Sequence, residues 1–83
     1  MNLNLRKNNI TNEGFININE KFKKLINLIE FVFDISSNEL SDKGLEFIIK
    51  ALNELPLLAK LTLNLSNNKI EENGFNLLGN SFL

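Results

Sequence analysis

The sequence predicts an α/β fold made of three copies of one strand-and-helix unit. Asn8, Asn38 and Asn68 are separated by two equal steps of 30 residues. Apolar and Gly positions keep the same step, namely Leu5, Ile35, Leu65; Ile10, Leu40, Ile70; and Gly14, Gly44, Gly74. A fixed period of about 20–50 residues is typical of a solenoid, because one such unit cannot bury its apolar face alone.

Each unit starts with a short strand. In the second unit Phe31, Phe33 and Ile35 alternate with polar or smaller residues. An alternation of period two predicts a half-buried strand. Asn38 follows the strand and is expected to turn the chain, because Asn suits turns and tolerates left-handed backbone. We interpret the recurring Asn as structural, with its side chain bonded to loop backbone groups.

A helix is predicted after each Asn loop. Thr11 and Ser41 are the predicted N-caps, since a hydroxyl oxygen accepts from free amides at a helix start. The first helix is predicted from about residue 12 to residue 27. The second is predicted to end before Pro56, because the residue that precedes a proline disfavours helical backbone.

Apolar residues recur at helical spacing in the first helix. They are Phe15, Ile18, Phe22, Leu25 and Ile26. Asn19 interrupts this stripe, and its equivalent in the second unit is Ile49. We therefore expect Asn19 at the edge of the buried stripe.

The chain is predicted to form a single domain, residues 1–83, with units 1–30, 31–60 and 61–83. The third helix is predicted to begin with Phe75, Leu77, Leu78 and Phe82. Solenoids need polar-faced terminal units, and neither end has one. We therefore expect the chain to be a segment of a longer array.

Composition excludes several function classes. The chain has no Cys and no His, which removes disulfides, Cys metal sites and the commonest general base. The net charge of −1 gives no basic footprint for nucleic acid. No apolar run approaches the roughly 20 residues of a membrane span. We expect a cytoplasmic protein that is not an enzyme, with no cofactor, no metal, no nucleic acid and no membrane partner.

Three segments carry a family resemblance: LNLRKNNITNEGF, FDISSNELSDKGL and LNLSNNKIEENGF. They resemble the L-x-L-x-x-N-x-I/L-x-x-x-G-x-x-x-L pattern of leucine-rich repeats of the ribonuclease-inhibitor-like type. That type has units of about 28–29 residues, so this chain is a 30-residue variant, similar to units found in ciliates. The resemblance implies a right-handed β-α horseshoe with parallel strands on the concave face and helices on the convex face. It also implies binding of protein partners.

The outward strand positions are the predicted partner-binding residues, because core packing does not dictate their identity. They are Asn2, Asn4, Arg6, Lys7, Val32, Asp34, Ser36, Ser37, Thr62, Asn64, Ser66 and Asn67. On parallel strands about 5 Å apart they would form a small polar patch with one basic end and one central acid.

The sequence therefore predicts a protein–protein interaction module, with a partner of unknown identity. A first alternative is a structural unit that stacks end to end with copies of itself through its exposed solenoid ends. A second alternative is a regulatory repeat segment of a larger enzyme such as a kinase.

Overall fold

Strands and helices alternate along the whole described chain. The computed structural model describes the backbone of residues 1–81 and the side chains of residues 1–79. The elements are β1 (Asn2–Asn4), α1 (Asn12–Phe22), β2 (Glu30–Asp34), α2 (Asp42–Asn53), β3 (Lys60–Asn64) and α3 (Glu72–Ser81). The strands form one parallel sheet in the order β1-β2-β3. The predicted α/β class is confirmed.

The step of 30 residues in the sequence is also the register of the sheet. Asn2 pairs with Val32, and Val32 pairs with Thr62. The ladder continues beyond the strand ends, since the Leu5 N–H donates to the Asp34 carbonyl at 2.8 Å. Equivalent positions of the units are therefore neighbours in space. Each class of repeat position forms a row across the sheet.

The core lies between the sheet and the helices and is centred on the second unit. Phe31 and Phe33 stack with ring centroids 5.0 Å apart. Phe22 of α1 contacts both rings edge-on at 5.4 Å. Such aromatic geometry is favourable beyond the area that is buried. The largest fully buried side chains are Phe15, Phe31, Phe33, Ile35, Leu40, Leu45, Ile48 and Leu52.

The first helix is shorter than predicted. It ends at Phe22, not near residue 27, and Ile26 is 58% exposed instead of buried. The chain turns here so that it returns to β2, and the Leu25 N–H donates to the Phe22 carbonyl at 2.9 Å. Leu25 and Leu28 are half-buried against the core on this return path. The helical spacing of Ile26 was therefore coincidental.

The second unit uses the same return path. The helix α2 ends at Asn53, before Pro56 as predicted. Leu55 is buried as predicted, although it follows the helix, and its N–H donates to the Leu52 carbonyl at 3.2 Å.

The predicted N-caps stand at the right positions but do not cap with their side chains. Thr11 and Ser41 are N-cap residues without a side-chain hydrogen bond to the helix. The Ser41 hydroxyl instead accepts from Asn12 Nδ2 at 2.7 Å, and the Ser41 N–H donates to Asn12 Oδ1 at 3.0 Å. Asp42 Oδ1 likewise accepts from the Glu71 N–H at 2.7 Å. The first residue of each of these helices therefore joins its unit to the next.

Gly44 leaves the space that this link needs. A Cβ at Gly44 would collide with Asn12 Oδ1 and would lie 2.6 Å from Leu40 Cδ1. Gly74 meets the equivalent pair, Asp42 and Ile70. The recurring Gly is thus structural, as expected. The contact that it permits runs along the row of helix starts.

The predicted third helix is present as α3. Leu77 and Leu78 pack against the core as partly buried residues. The predicted helix residue Phe82 lies outside the described residues.

Candidate functional site

The outward side chains of the three strands and of the turns that follow them form what we call the strand face. Its rows are Asn2, Val32, Thr62; Asn4, Asp34, Asn64; Arg6, Ser36, Ser66; and Lys7, Ser37, Asn67. All twelve are predicted partner-binding residues. The parallel register brings them together on one side of the sheet, although their exposure differs from row to row.

The second row has a structural role that was not predicted from the sequence. Asp34 Oδ1 accepts from the Ser36 N–H at 3.0 Å and from the Ser36 hydroxyl at 2.6 Å. Asn64 makes the same two bonds to Ser66, at 3.1 Å and 2.8 Å. Asn4 Oδ1 accepts from the N–H of the residue two positions ahead at 3.0 Å. These are Asx turns, in which a side chain bonds to backbone two residues ahead. The spacing of an Asn or Asp two residues before a Ser could have revealed them.

Asp34 carries the one acidic charge of the strand face. The hydroxyl and the N–H of Ser36, with a smaller contribution from the Arg6 guanidinium, hold the pKa of Asp34 below its ordinary value of 3.8. The carboxylate is therefore ionised at neutral pH. Any stability that these bonds supply is fully present above pH 3.8 and is lost as the pH falls through the lowered pKa.

Ser36 does not fit the prediction of an outward, accessible residue. It is only 3% exposed, because it bonds back to Asp34. Its neighbour Ser37 is half-buried and has a φ of 56°. Lys7 and Asn67 share this left-handed conformation, with φ of 58° and 54°. These turn residues are fixed by the loop, which makes their geometry the same in each unit.

Some of the predicted residues are exposed and have no side-chain hydrogen bond to the described part of the chain. They are Asn2, Arg6, Lys7, Val32 and Thr62. Val32 is an apolar residue that is 36% exposed at the centre of the first row. The strand face therefore offers one apolar contact between polar neighbours, with a basic edge at Arg6 and Lys7. This set can contact another protein without disturbing its own turns.

The recurring Asn binds backbone, as its place in the repeat predicted. Asn38 Oδ1 accepts from the N–H groups of Asn8 and Ile10 at 3.1 Å and 2.9 Å. Its Nδ2 donates to three carbonyls, including that of Leu5 at 2.9 Å. Asn68 reaches back to the second unit in the same way. This row holds neighbouring loops together and is not a ligand site.

The residues of a metal site or a membrane span do not come together in residues 1–81. Within that range no group of three or more Asp or Glu side chains is placed to hold a metal ion. None of the helices found there combines the length and the apolar character that crossing a bilayer requires.

Two segments, residues 2–18 and 32–48, match a family model described as Leucine Rich repeat. Each segment starts in a strand and ends inside the helix that follows it. The matches support the leucine-rich repeat family, whose domains are generally protein-interaction modules. A search of curated proteins and a search of solved structures found no match.

Proposed function

We propose that the chain is a protein–protein interaction module that binds its partner through the strand face. The observation that supports this is the set of exposed side chains that neither the core nor the turns require. The proposal includes a concave strand face, the ribonuclease-inhibitor-like type and a cytoplasmic location. A parallel sheet holds these side chains on rigid elements, so binding does not require a loop to become ordered.

The proposal is tested with a photo-crosslinking residue in place of Val32, which captures the partner for identification by mass spectrometry. The partner is then titrated against Arg6→Ala and Thr62→Arg. We expect each variant to weaken binding about tenfold, which corresponds to about 1.4 kcal/mol of binding free energy. The melting temperature should stay nearly unchanged, because both side chains are exposed.

Asp34 and Asn64 need conservative replacements in this experiment, since truncation would also break their Asx turns. Asp34→Asn keeps the Oδ1 acceptor and removes the charge. A matched control is Glu46→Ala, an exposed residue of α2. If the control weakens binding as much as the strand-face variants do, the partner binds the helices and the strand face is the wrong site.

A second candidate function is end-to-end association with a second copy of the chain. Phe75 of α3 occupies the repeat position of Phe15 and Leu45, which are fully buried, but it is 61% exposed. Helix α2 packs on α1 and α3 packs on α2, while no further helix within residues 1–81 covers α3. Docking of a second copy here would extend the packing between the units, as a heterologous contact.

Sedimentation equilibrium tests this second candidate. The weight-average mass should rise above 9.5 kDa with concentration. Phe75→Glu should abolish the rise, because a charge would be buried without a partner at the contact. Phe47→Glu is the matched control, since Phe47 is 39% exposed in the central unit. A mass independent of concentration would exclude self-association, and equal suppression by both variants would exclude Phe75 as its contact.

The other alternative, a regulatory segment of a larger enzyme, stays a prediction from the sequence. The strand-face experiment also informs it, because the captured partner would then include a catalytic domain.

A further inference from the structure

A second surface lies on the helix side of the molecule, away from the strand face. A groove of about 230 Å³ runs between α1 and α2. Its apolar lining includes Ile16 and Phe47, which are 36% and 39% exposed. Exposed aliphatic and aromatic side chains on two neighbouring helices give the groove an apolar contact on each wall.

Asn19 lines this groove, and the polar atoms of its side chain are unsatisfied. The residue is 7% exposed, and neither Oδ1 nor Nδ2 has a hydrogen-bond partner among the described residues. The interruption of the apolar stripe predicted Asn19 at the edge of the buried surface, but the residue is buried. Buried side-chain amides are nearly always paired, so such an exception requires an explanation.

Packing does not explain Asn19. The equivalent residue of the second unit is Ile49, which is apolar and 3% exposed. An aliphatic side chain therefore fits this repeat position, and it would leave no polar atom unsatisfied. Asn19 destabilises the folded chain relative to such a residue, which is typical of a group whose partner comes from another molecule.

We propose that the groove between α1 and α2 binds an extended peptide segment of a partner protein, with Asn19 paired to one of its peptide groups. A carboxamide both donates and accepts. Asn19 Nδ2 would donate to the carbonyl of the segment, and Oδ1 would accept from its N–H. A rotation of the Asn19 side chain toward the groove brings these atoms to its surface. Apolar side chains of the segment would contact Ile16 and Phe47.

The size and charge of the groove favour a peptide over a cofactor. Small-molecule sites usually have volumes of about 300–1,000 Å³, and this groove is smaller and open. Its charged lining consists of Glu20, Lys23, Lys50 and Glu54, so neither sign dominates. Lys23 is already paired with Glu20 at 3.2 Å. The chemistry therefore selects a neutral main chain with apolar side chains, and no phosphate or metal.

The first test is a titration of the 83-residue chain with N-acetyl-leucine N-methylamide, followed by ¹H–¹⁵N NMR. This probe carries two peptide groups and one apolar side chain. We expect the Asn19 side-chain NH₂ and the backbone amides of Lys50 and Ala51 to shift. In Asn19→Ile the apparent affinity should fall at least tenfold at the backbone amides. Asn17→Ile is the matched control, because Asn17 is exposed on the same helix, and it should bind as the wild type does.

The second test is thermal unfolding of Asn19→Ile without the probe. Its melting temperature should rise by several degrees, because an unsatisfied amide is replaced by the residue type that packs in the second unit. Asn and Ile have similar helix propensities, so the change isolates the amide. A lower melting temperature would show that the amide has an internal partner in solution and would overturn the proposal. Unchanged probe affinity in Asn19→Ile, or no shifts at all in the wild type, would also overturn it.

Discussion

Asn38→Ala is expected to lower the free energy of unfolding by roughly 3 kcal/mol or more, since each backbone group left buried and unpaired costs about 1–3 kcal/mol. The Asn38 side chain makes five hydrogen bonds to backbone, to the N–H of Asn8 and Ile10 and to the carbonyls of Leu5, Ile35 and Ser36. Alanine supplies none of these bonds. Urea unfolding followed by circular dichroism measures the loss.

Asn8→Ala is the matched control, because it removes the same chemical group at the same repeat position. Asn8 is exposed, and its side chain bonds only to the carbonyl of Arg6 at 3.2 Å within the described residues. We expect a change within about 0.5 kcal/mol, as for most surface substitutions. Asn68→Ala should fall between the two, since Asn68 is half-buried. Equal losses for Asn8 and Asn38 would contradict the assignment of the row as a link between units.

Phe15→Ala is expected to destabilise the chain by about 3–5 kcal/mol, the usual range for a buried Phe that leaves a cavity. Phe15 is fully buried in the core. Small domains have a total stability of about 5–15 kcal/mol, so this change removes a large share of it. The same urea experiment measures the effect, and a variant that is already unfolded without urea agrees with the expectation.

Phe75→Ala is the control for this change, because the residue type, the repeat position and the gain in helix propensity are all the same. Phe75 is 61% exposed, so we expect a loss of only about 0.5 kcal/mol in the monomer. A loss as large as that of Phe15→Ala would mean that the face of α3 is covered in solution. In that case the effect should depend on protein concentration, as association requires.

The repeat period carried most of the fold. The step from Asn8 to Asn38 predicted the parallel register, because identical units stack with identical positions side by side. The apolar alternation in Phe31, Phe33 and Ile35 predicted the buried side of β2. Both predictions depend on local pattern, which is present in the sequence without knowledge of any contact.

The end of α1 was not predictable in the same way. Ile26 continues the helical spacing, but the chain must turn at Phe22 to reach the start of β2. The distance between the end of a helix and the next strand is set by the stacking of the units. Periodicity contains no information about that distance, and a tertiary constraint therefore overrode a local preference.

The candidate site was predicted in position and only partly in character. The strand face lies where the outward residues placed it, but Asp34 and Asn64 have turn bonds that the alternation did not show. Ser36 is buried for the same reason. Polar residues on a strand look alike in a sequence whether they wait for a partner or hold their own loop, and only the geometry of the turn separates the two roles.

The spacing of apolar residues along the chain was enough to define the unit, its period and the side of each strand that faces the core, because these are local properties. The packing of the units determines which equivalent residues are buried and which polar groups are satisfied. Phe15 and Phe75 differ because only one of them lies beneath a neighbouring helix. Asn19 is unsatisfied because no described neighbour offers it a partner, and this depends on the surroundings of the residue and not on its place in the sequence.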